Sequence, residues 1–255
     1  MHAAVTDQAG SHDAERPAAY RFASRHATDP GGTLKRPALP WVAAVQGQRF
    51  ACSERGRALA ARHAGWLSFV DAGLGSLVEL VELSRLVQVY RAPLRVGRQI
   101  PAAAYELHAC SRLVNVVRKL ELDVPTRGAR RADLRAFFLS RAFHVEVKAH
   151  EDRRGQRRRG GPRAVRTLWQ AAQSQASLQT PNLLVLGHVD AAAVRGAALQ
   201  APPDGAFGAV AWLDLRRRPH AWRGALHAVA GARHPFSSAL LDVMRRRFES
   251  PRANR

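Results

Sequence analysis

The chain of 255 residues is long enough for one large domain or for a domain with a substantial arm. Its hydrophobic fraction of 46% is ordinary for a globular protein, and no apolar run approaches the ~18 residues that a membrane-spanning helix needs. The first residues have neither the basic start nor the apolar stretch of a secretory signal. A cytoplasmic protein without membrane contact is therefore expected.

The charge is strongly basic, with 40 Lys and Arg against 20 Asp and Glu and a formal net charge of +20. Lysine occurs only at Lys35, Lys119 and Lys148, so nearly every cation is arginine. A field of this size attracts phosphate backbones, and the planar arginine fork matches phosphate oxygens. Nucleic acid, whether DNA or RNA, is the expected partner.

The arginine bias also has a genomic explanation. The chain has a single isoleucine, Ile100, together with many alanines, as expected when GC-rich codons dominate a gene. An unselected reading frame of GC-rich DNA, with no evolved function, would have the same bias. Composition alone leaves this alternative open beside a polyanion-binding protein.

The first elements in chain order are an arm and a segment of ambiguous type. Residues 1 to 40 mix polar residues, glycine and proline without apolar periodicity, which predicts a flexible arm before a single α/β domain over residues 41 to 250. From Leu77 to Tyr90, polar residues recur at every third position among Leu and Val. This pattern fits a mostly buried helix, but it also fits two short strands.

A helix and three strands are predicted next. Apolar residues at helical spacing predict an amphipathic helix over residues 102 to 119, with Pro101 suited to its first turn. Period-two alternation predicts a short strand over residues 120 to 124, and a second short extended run covers residues 133 to 138. Residues 143 to 149 alternate most clearly and predict a half-buried strand.

The remainder of the chain predicts an α/β core. After an arginine- and glycine-rich loop, residues 164 to 179 have helical periodicity and residues 183 to 189 form an apolar run. Strand, crossover helix and parallel strand make one unit. A further strand over 209 to 215 and a last helix from Phe236 to Phe248 complete an α/β fold, in which helices flank a mixed central sheet.

Three charged residues of this region point to chemistry. Asp133 opens one predicted strand, and Glu146 and Lys148 lie two apart on the next, so a hairpin would bring them together. Two carboxylates supply the hard oxygen ligands that Mg²⁺ takes while it keeps several waters. A bound cation of this kind polarises phosphoryl oxygens and activates water, and the lysine is placed to position that water.

With these residues and this order of elements, the chain resembles the PD-(D/E)xK nuclease superfamily, whose restriction-endonuclease-like core would span residues 102 to 189. The resemblance implies a Mg²⁺-dependent nuclease, with Asp133 and Glu146 as metal ligands and Lys148 as the catalytic lysine. It also implies accessory roles for Gln173 on the following helix and Glu106 on the preceding one. The chain departs from the motif in having Ala132 where the family has proline.

Other interpretations of the same residues remain open. Glu146 and Lys148 are also what an ordinary solvated strand face would carry, and such surface pairs contribute only ~0–1 kcal/mol. His144 and His150 flank them as candidate ligands of a transition metal, and Trp169, Trp212 and Trp222 are candidates to stack on bases. A set of loop and flanking arginines is predicted to bind phosphates, either in a nuclease or in a non-catalytic polyanion-binding protein: Arg153, Arg154, Arg157, Arg158, Arg159 and Arg163.

Overall fold

The structure is a computed structural model that describes residues 39–126, 130–150, 159–215 and 222–249. The predicted arm over residues 1 to 40 lies outside the described residues except for its last two positions. The described helices are α1 (Pro40–Gln46), α2 (Gln48–Ala51), α3 (Glu54–Leu77), α4 (Leu83–Leu94), α5 (Ile100–Leu113), α6 (Pro162–Gln173), α7 (Ala191–Leu199) and α8 (Ser238–Phe248). The described strands are β1 (Lys119–Pro125), β2 (Arg131–Phe138), β3 (Arg141–Ala149), β4 (Asn182–Gly187), β5 (Ala209–Leu215) and β6 (Trp222–Ala228).

The strands form one mixed sheet in the order β1-β2-β3-β4-β5-β6. β1, β2 and β3 are joined as antiparallel neighbours, β3, β4 and β5 run parallel, and β6 is antiparallel to β5. The parallel step from β3 to β4 passes through α6, which confirms the predicted strand, helix and strand unit. The predicted α/β fold with a mixed central sheet between helices is confirmed.

The sheet separates two hydrophobic clusters. Alternate residues of β4 divide between them: Leu183 and Val185 belong to the larger cluster with α3, α4, α5 and α8, whereas Leu184 and Leu186 belong to the smaller one with α6 and α7. Because both faces are covered, all six residues of β4 are buried. This explains the unbroken apolar run, which alternation alone would not produce.

Two predicted helices are shorter in the structure than in the sequence pattern. α5 has Pro101 in its first turn as expected, but it ends at Leu113. Its chain then turns so that Val117 is buried in the larger cluster before β1 begins. α6 ends at Gln173, and the loop after it is held by Asn182, whose Oδ1 accepts from Ser177 N at 2.9 Å.

The segment from Leu77 to Tyr90 is neither one helix nor two strands. α3 ends at Leu77, whose carbonyl accepts hydrogen bonds from Leu80 N and Val81 N at 2.9 and 2.8 Å. This turn leads into α4 at Leu83. The sequence pattern from Leu77 to Tyr90 therefore covers the last residue of α3, the turn and the first part of α4.

Long α3, small-residue α7 and strand β6 were not predicted. In α3 the buried large apolar residues lie only in the second half, from Leu67 to Leu77, so half of the helix lacks a core-facing pattern. α7 is mostly alanine, and its N-terminus is set by Asp190, whose Oδ1 accepts from Ala192 N at 2.8 Å.

Over the described ranges, no helix combines the length and apolarity that a membrane span requires.

Candidate active site

The sheet opens between β2 and β3. The last residue pair of their ladder is Leu134 with Val145. Beyond it, β2 continues to pair only with β1, through Ala132 and Val124, while β3 continues to pair with β4, through Glu146 and Leu184. The two strands therefore diverge at the position that Asp133 and Glu146 occupy.

Asp133 spans this opening through its side chain. Its Oδ2 accepts a hydrogen bond from Val147 N at 2.6 Å. This side-chain bond links the two strands where their backbone pairing has ended. Val147 lies between Glu146 and Lys148, so this bond fixes Asp133 beside both of them. Burial raises the pKa of Asp133, while Lys148 and the Val147 N–H act in the opposite direction.

Glu146 is buried, with 2% of its surface exposed, and Lys148 Nζ donates to its Oε1. This excludes the solvated-face interpretation for Glu146, because α5 and α6 both pack against its strand, β3. Burial raises the pKa of Glu146 to about 7, and the neighbouring Asp133 carboxylate adds to the rise while Lys148 opposes it. A buried ion pair is weak evidence for stability, and titratable groups with strongly perturbed pKa values are candidates for functional sites.

Glu106 of α5 belongs to the same group. Its Oε1 accepts from Tyr90 Oη at 2.5 Å. Desolvation raises its pKa to about 8, and the Asp133 and Glu146 carboxylates contribute to the rise while Lys148 and the Tyr90 hydrogen bond oppose it. The structure thus brings together Glu106, Asp133, Glu146 and Lys148 and adds Tyr90, which the sequence pattern did not single out. A tyrosine in a segment predicted to be mostly buried needs a hydrogen-bond partner for its hydroxyl. That requirement is the sequence signal that could have singled out Tyr90.

The residues at the opening fit a hard divalent cation by their chemistry. Glu146 Oε2 is buried and has no hydrogen-bond partner among the described residues. It lies beside a second carboxylate, that of Asp133. Within the described ranges, no three His, Cys, Asp or Glu side chains stand in an arrangement that could hold a metal ion. Mg²⁺ uses one or two carboxylates and retains waters, so Asp133 and Glu146 are ligands of the kind that it takes.

Gln173 and the two histidines do not join this group. Gln173 is exposed at the end of α6, in a groove between α6 and α7. His144 is buried with Nδ1 2.8 Å from Thr180 Oγ1. His150 instead stacks on His188, with ring centroids 6.4 Å apart. The two histidines, candidate ligands of a transition metal by sequence, therefore lie in different surroundings, because each ring has a different set of neighbours.

The predicted phosphate-binding arginines fall into two groups. Arg153, Arg154, Arg157 and Arg158 lie outside the described residues. Arg159 forms an ion pair with the buried Asp214 at 2.6 Å, so much of its charge is neutralised within the protein. Arg163 is exposed in the first turn of α6.

Comparison of the chain with protein-family models, with curated proteins and with solved structures found no match.

Proposed function

We propose that this protein is a Mg²⁺-dependent nuclease that hydrolyses phosphodiester bonds. One observation carries the proposal: Asp133, Glu146 and Lys148 meet where the β2–β3 ladder ends, with Glu146 buried and its Oε2 unpaired among the described residues. Buried acidic groups with raised pKa values beside a cation are typical of catalytic sites. The net charge of +20 supports a nucleic-acid substrate.

Each residue has a distinct part in this proposal. Asp133 and Glu146 would hold the cation, which supplies Lewis-acid stabilisation of phosphoryl charge when bound. Lys148, which is paired with Glu146, would orient the attacking water and offset negative charge at the phosphate. Glu106 would be a positioning residue, since Tyr90 holds its carboxyl group and Asp133, Glu146 and Lys148 act on it electrostatically.

The experiment compares this buried pair with a surface pair of the same chemistry in the same sheet. On β1, Lys119 Nζ lies 2.7 Å from Glu121 Oε1, with the lysine side chain 62% exposed. Glu146→Gln and Lys148→Met should reduce Mg²⁺-dependent cleavage of DNA or RNA by about 10²-fold or more, as expected on loss of an acid–base or charge-stabilising group. Glu121→Gln and Lys119→Met should cleave like the wild type.

Binding is measured alongside cleavage, by electrophoretic shift in EDTA. Both site variants should bind nucleic acid within about threefold of the wild type, since neither is needed for the sequence-independent electrostatic attraction to the backbone. Cleavage that is unchanged in Glu146→Gln and Lys148→Met would reject the nuclease proposal.

A second candidate is a non-catalytic protein that binds nucleic acid or another polyanion. The net charge of +20 favours it independently of the carboxylates. It predicts binding without any metal requirement and no cleavage in either the wild type or the variants. The same experiment therefore separates the two functions.

A further inference from the structure

A second cavity of about 290 Å³ lies between α3, α5 and the first residue of β6. None of the four charged residues at the sheet opening lines it. Its wall on α3 consists largely of small residues, among them Ala72 and Gly73, while α5 contributes His108 and Arg112. Trp222 of β6 closes one side.

Arg112 brings an uncompensated positive charge to this cavity. Its guanidinium lies 5.0 Å from the centroid of the Trp222 ring, and its buried Nε has no hydrogen-bond partner among the described residues. Within those residues, no carboxylate forms an ion pair with it. Burial, reinforced by the nearby Arg247, lowers the pKa of Arg112. A partly buried cation in this state is costly unless an anion accompanies it.

His108 is the second group that lacks a partner. It is 6% exposed, its Nε2 is buried without a hydrogen bond from any described residue, and its ring meets Phe69 and Trp222 edge-on at 5.6 and 5.4 Å. Burial, and secondarily Arg112, lower the pKa of His108 to about 3, so the ring is neutral near pH 7. A neutral imidazole N–H donates a hydrogen bond without adding charge.

The serines of the cavity wall already use their hydrogens. Ser76 Oγ donates to Ala72 O at 2.9 Å, and Ser111 Oγ donates to His108 O at 2.7 Å. With these hydroxyls engaged, Arg112 and His108 are the lining side chains whose buried nitrogens have no hydrogen-bond partner among the described residues. The aromatic rings of Phe69 and Trp222 provide the apolar part of the wall.

We infer that this cavity binds a small organic anion in which a carboxylate is attached to a planar ring. The carboxylate accepts from Arg112 and His108, and the ring packs against Trp222 and Phe69. The cavity volume of about 290 Å³ is at the lower end of ligand sites, which limits the ligand to a single ring. Inorganic phosphate satisfies the two donors but leaves the aromatic wall uncovered. This site is independent of the proposed nuclease function.

Titration calorimetry of the full chain with four probes tests the inference. Benzoate combines the charge and the ring, acetate and inorganic phosphate have only charge, and benzyl alcohol has only the ring. Benzoate should bind at least about tenfold more tightly than each of the other three, a difference of ~1.4 kcal/mol. Equal affinity for benzoate and acetate, or tightest binding of phosphate, would overturn the inference.

Substitutions of the cavity residues test whether benzoate binds in this cavity. Arg112→Leu should weaken benzoate at least about tenfold, whereas Arg55→Leu, at an exposed position of α3, should leave its affinity unchanged. Because Arg112→Leu removes an unpaired cation, it should melt no lower than the wild type in the absence of ligand. Trp222→Leu, at a partly exposed position, is the second variant and should abolish the preference for benzoate over acetate. Unchanged benzoate binding in Arg112→Leu or in Trp222→Leu would contradict the assignment.

A further variant separates this site from the sheet opening. Glu146→Gln should bind benzoate as the wild type does, even where it no longer cleaves nucleic acid. Loss of benzoate binding in Glu146→Gln would place the ligand at the sheet opening and overturn the inference. Failure of the nuclease proposal, in contrast, leaves the expected benzoate result unchanged.

Discussion

Glu146 combines two opposing influences on a single carboxylate. Its burial and the neighbouring Asp133 favour the protonated form, while Lys148 favours the ionised form. Glu106 has the same balance, and its pKa is raised to about 8 with desolvation as the largest cause. A carboxyl group that titrates near neutral pH is a consequence of where the fold places it, since an unperturbed glutamate titrates near 4.3.

These raised pKa values predict how stability depends on pH. Between the unfolded-state pKa and the folded values of about 7 and 8, the folded protein binds more protons than the unfolded chain. The contribution to stability is therefore complete below about pH 4.3 and is lost as pH rises through 7 and 8. Tm measured by calorimetry without metal should fall between pH 5 and pH 9, by about 2–4 °C for each kcal/mol lost.

Glu106→Gln tests the origin of this effect. Glutamine is neutral at every pH and keeps an oxygen that accepts from Tyr90, so the variant should show a smaller fall in Tm above pH 7 than the wild type. Glu79→Gln, at an exposed position, should keep the wild-type slope. A wild-type slope in Glu106→Gln would contradict the assignment of a raised pKa to Glu106.

At the scale of elements, the approach of α5 to the sheet determines where Glu106 lies. Gly187 of β4 allows this approach, because a Cβ at this position would lie 2.5 Å from Tyr105 Cδ1. The Tyr105 hydroxyl in turn accepts from Leu215 N at 3.4 Å. A helix bearing Glu106 is thereby held against the carboxyl ends of β4 and β5.

Two glycine substitutions separate this packing from backbone effects. Gly187→Ala should destabilise the protein by about 1–3 kcal/mol, as for an overpacked core. Gly196→Ala, inside α7 with nothing within 4 Å of the added Cβ, should stabilise it by about 0.5–1 kcal/mol. Denaturant unfolding measures both changes. A neutral effect of Gly187→Ala would mean that α5 is free to move away from β4.

At the scale of the whole molecule, the net charge of +20 acts on any polyanion, but not every arginine contributes equally. Arg159 is paired with Asp214, and Arg135 with Glu121. Because these two arginines are paired within the protein, phosphate contacts are expected from other arginines. In the sequence, the arginine-rich stretch before Arg159 follows β3, the strand that carries Glu146 and Lys148.

The proposed binding of nucleic acid has an expected salt dependence. The logarithm of the affinity should fall linearly with the logarithm of salt concentration, with a slope of about −0.9 for each phosphate neutralised on duplex DNA. Replacing Arg153, Arg154, Arg157 and Arg158 with glutamine should reduce that slope by about 3–4. Fluorescence anisotropy over a salt series measures it. An unchanged slope in the fourfold variant would show that phosphate contacts lie elsewhere.

Local patterns in the sequence determined most of the strands and the key charged residues. Alternation located β1, β2 and β3 within two residues of their ends, and the two-residue spacing of Glu146 and Lys148 placed both on one strand. Proline in a first helical turn located the start of α5. These features depend on neighbours in the chain, so the sequence alone contains the necessary information.

Only the tertiary structure decided the properties of the site. The burial of Glu146 depends on the helices that pack against β3, and the meeting with Glu106 depends on how closely α5 packs against β4. The same holds for the cavity at Arg112, whose walls come from α3, α5 and β6. Desolvation and unpaired donors arise from contacts between residues that are distant in sequence. A periodic sequence pattern does not show such contacts. The charge of these groups depends on them, because burial and neighbouring charges shift pKa values.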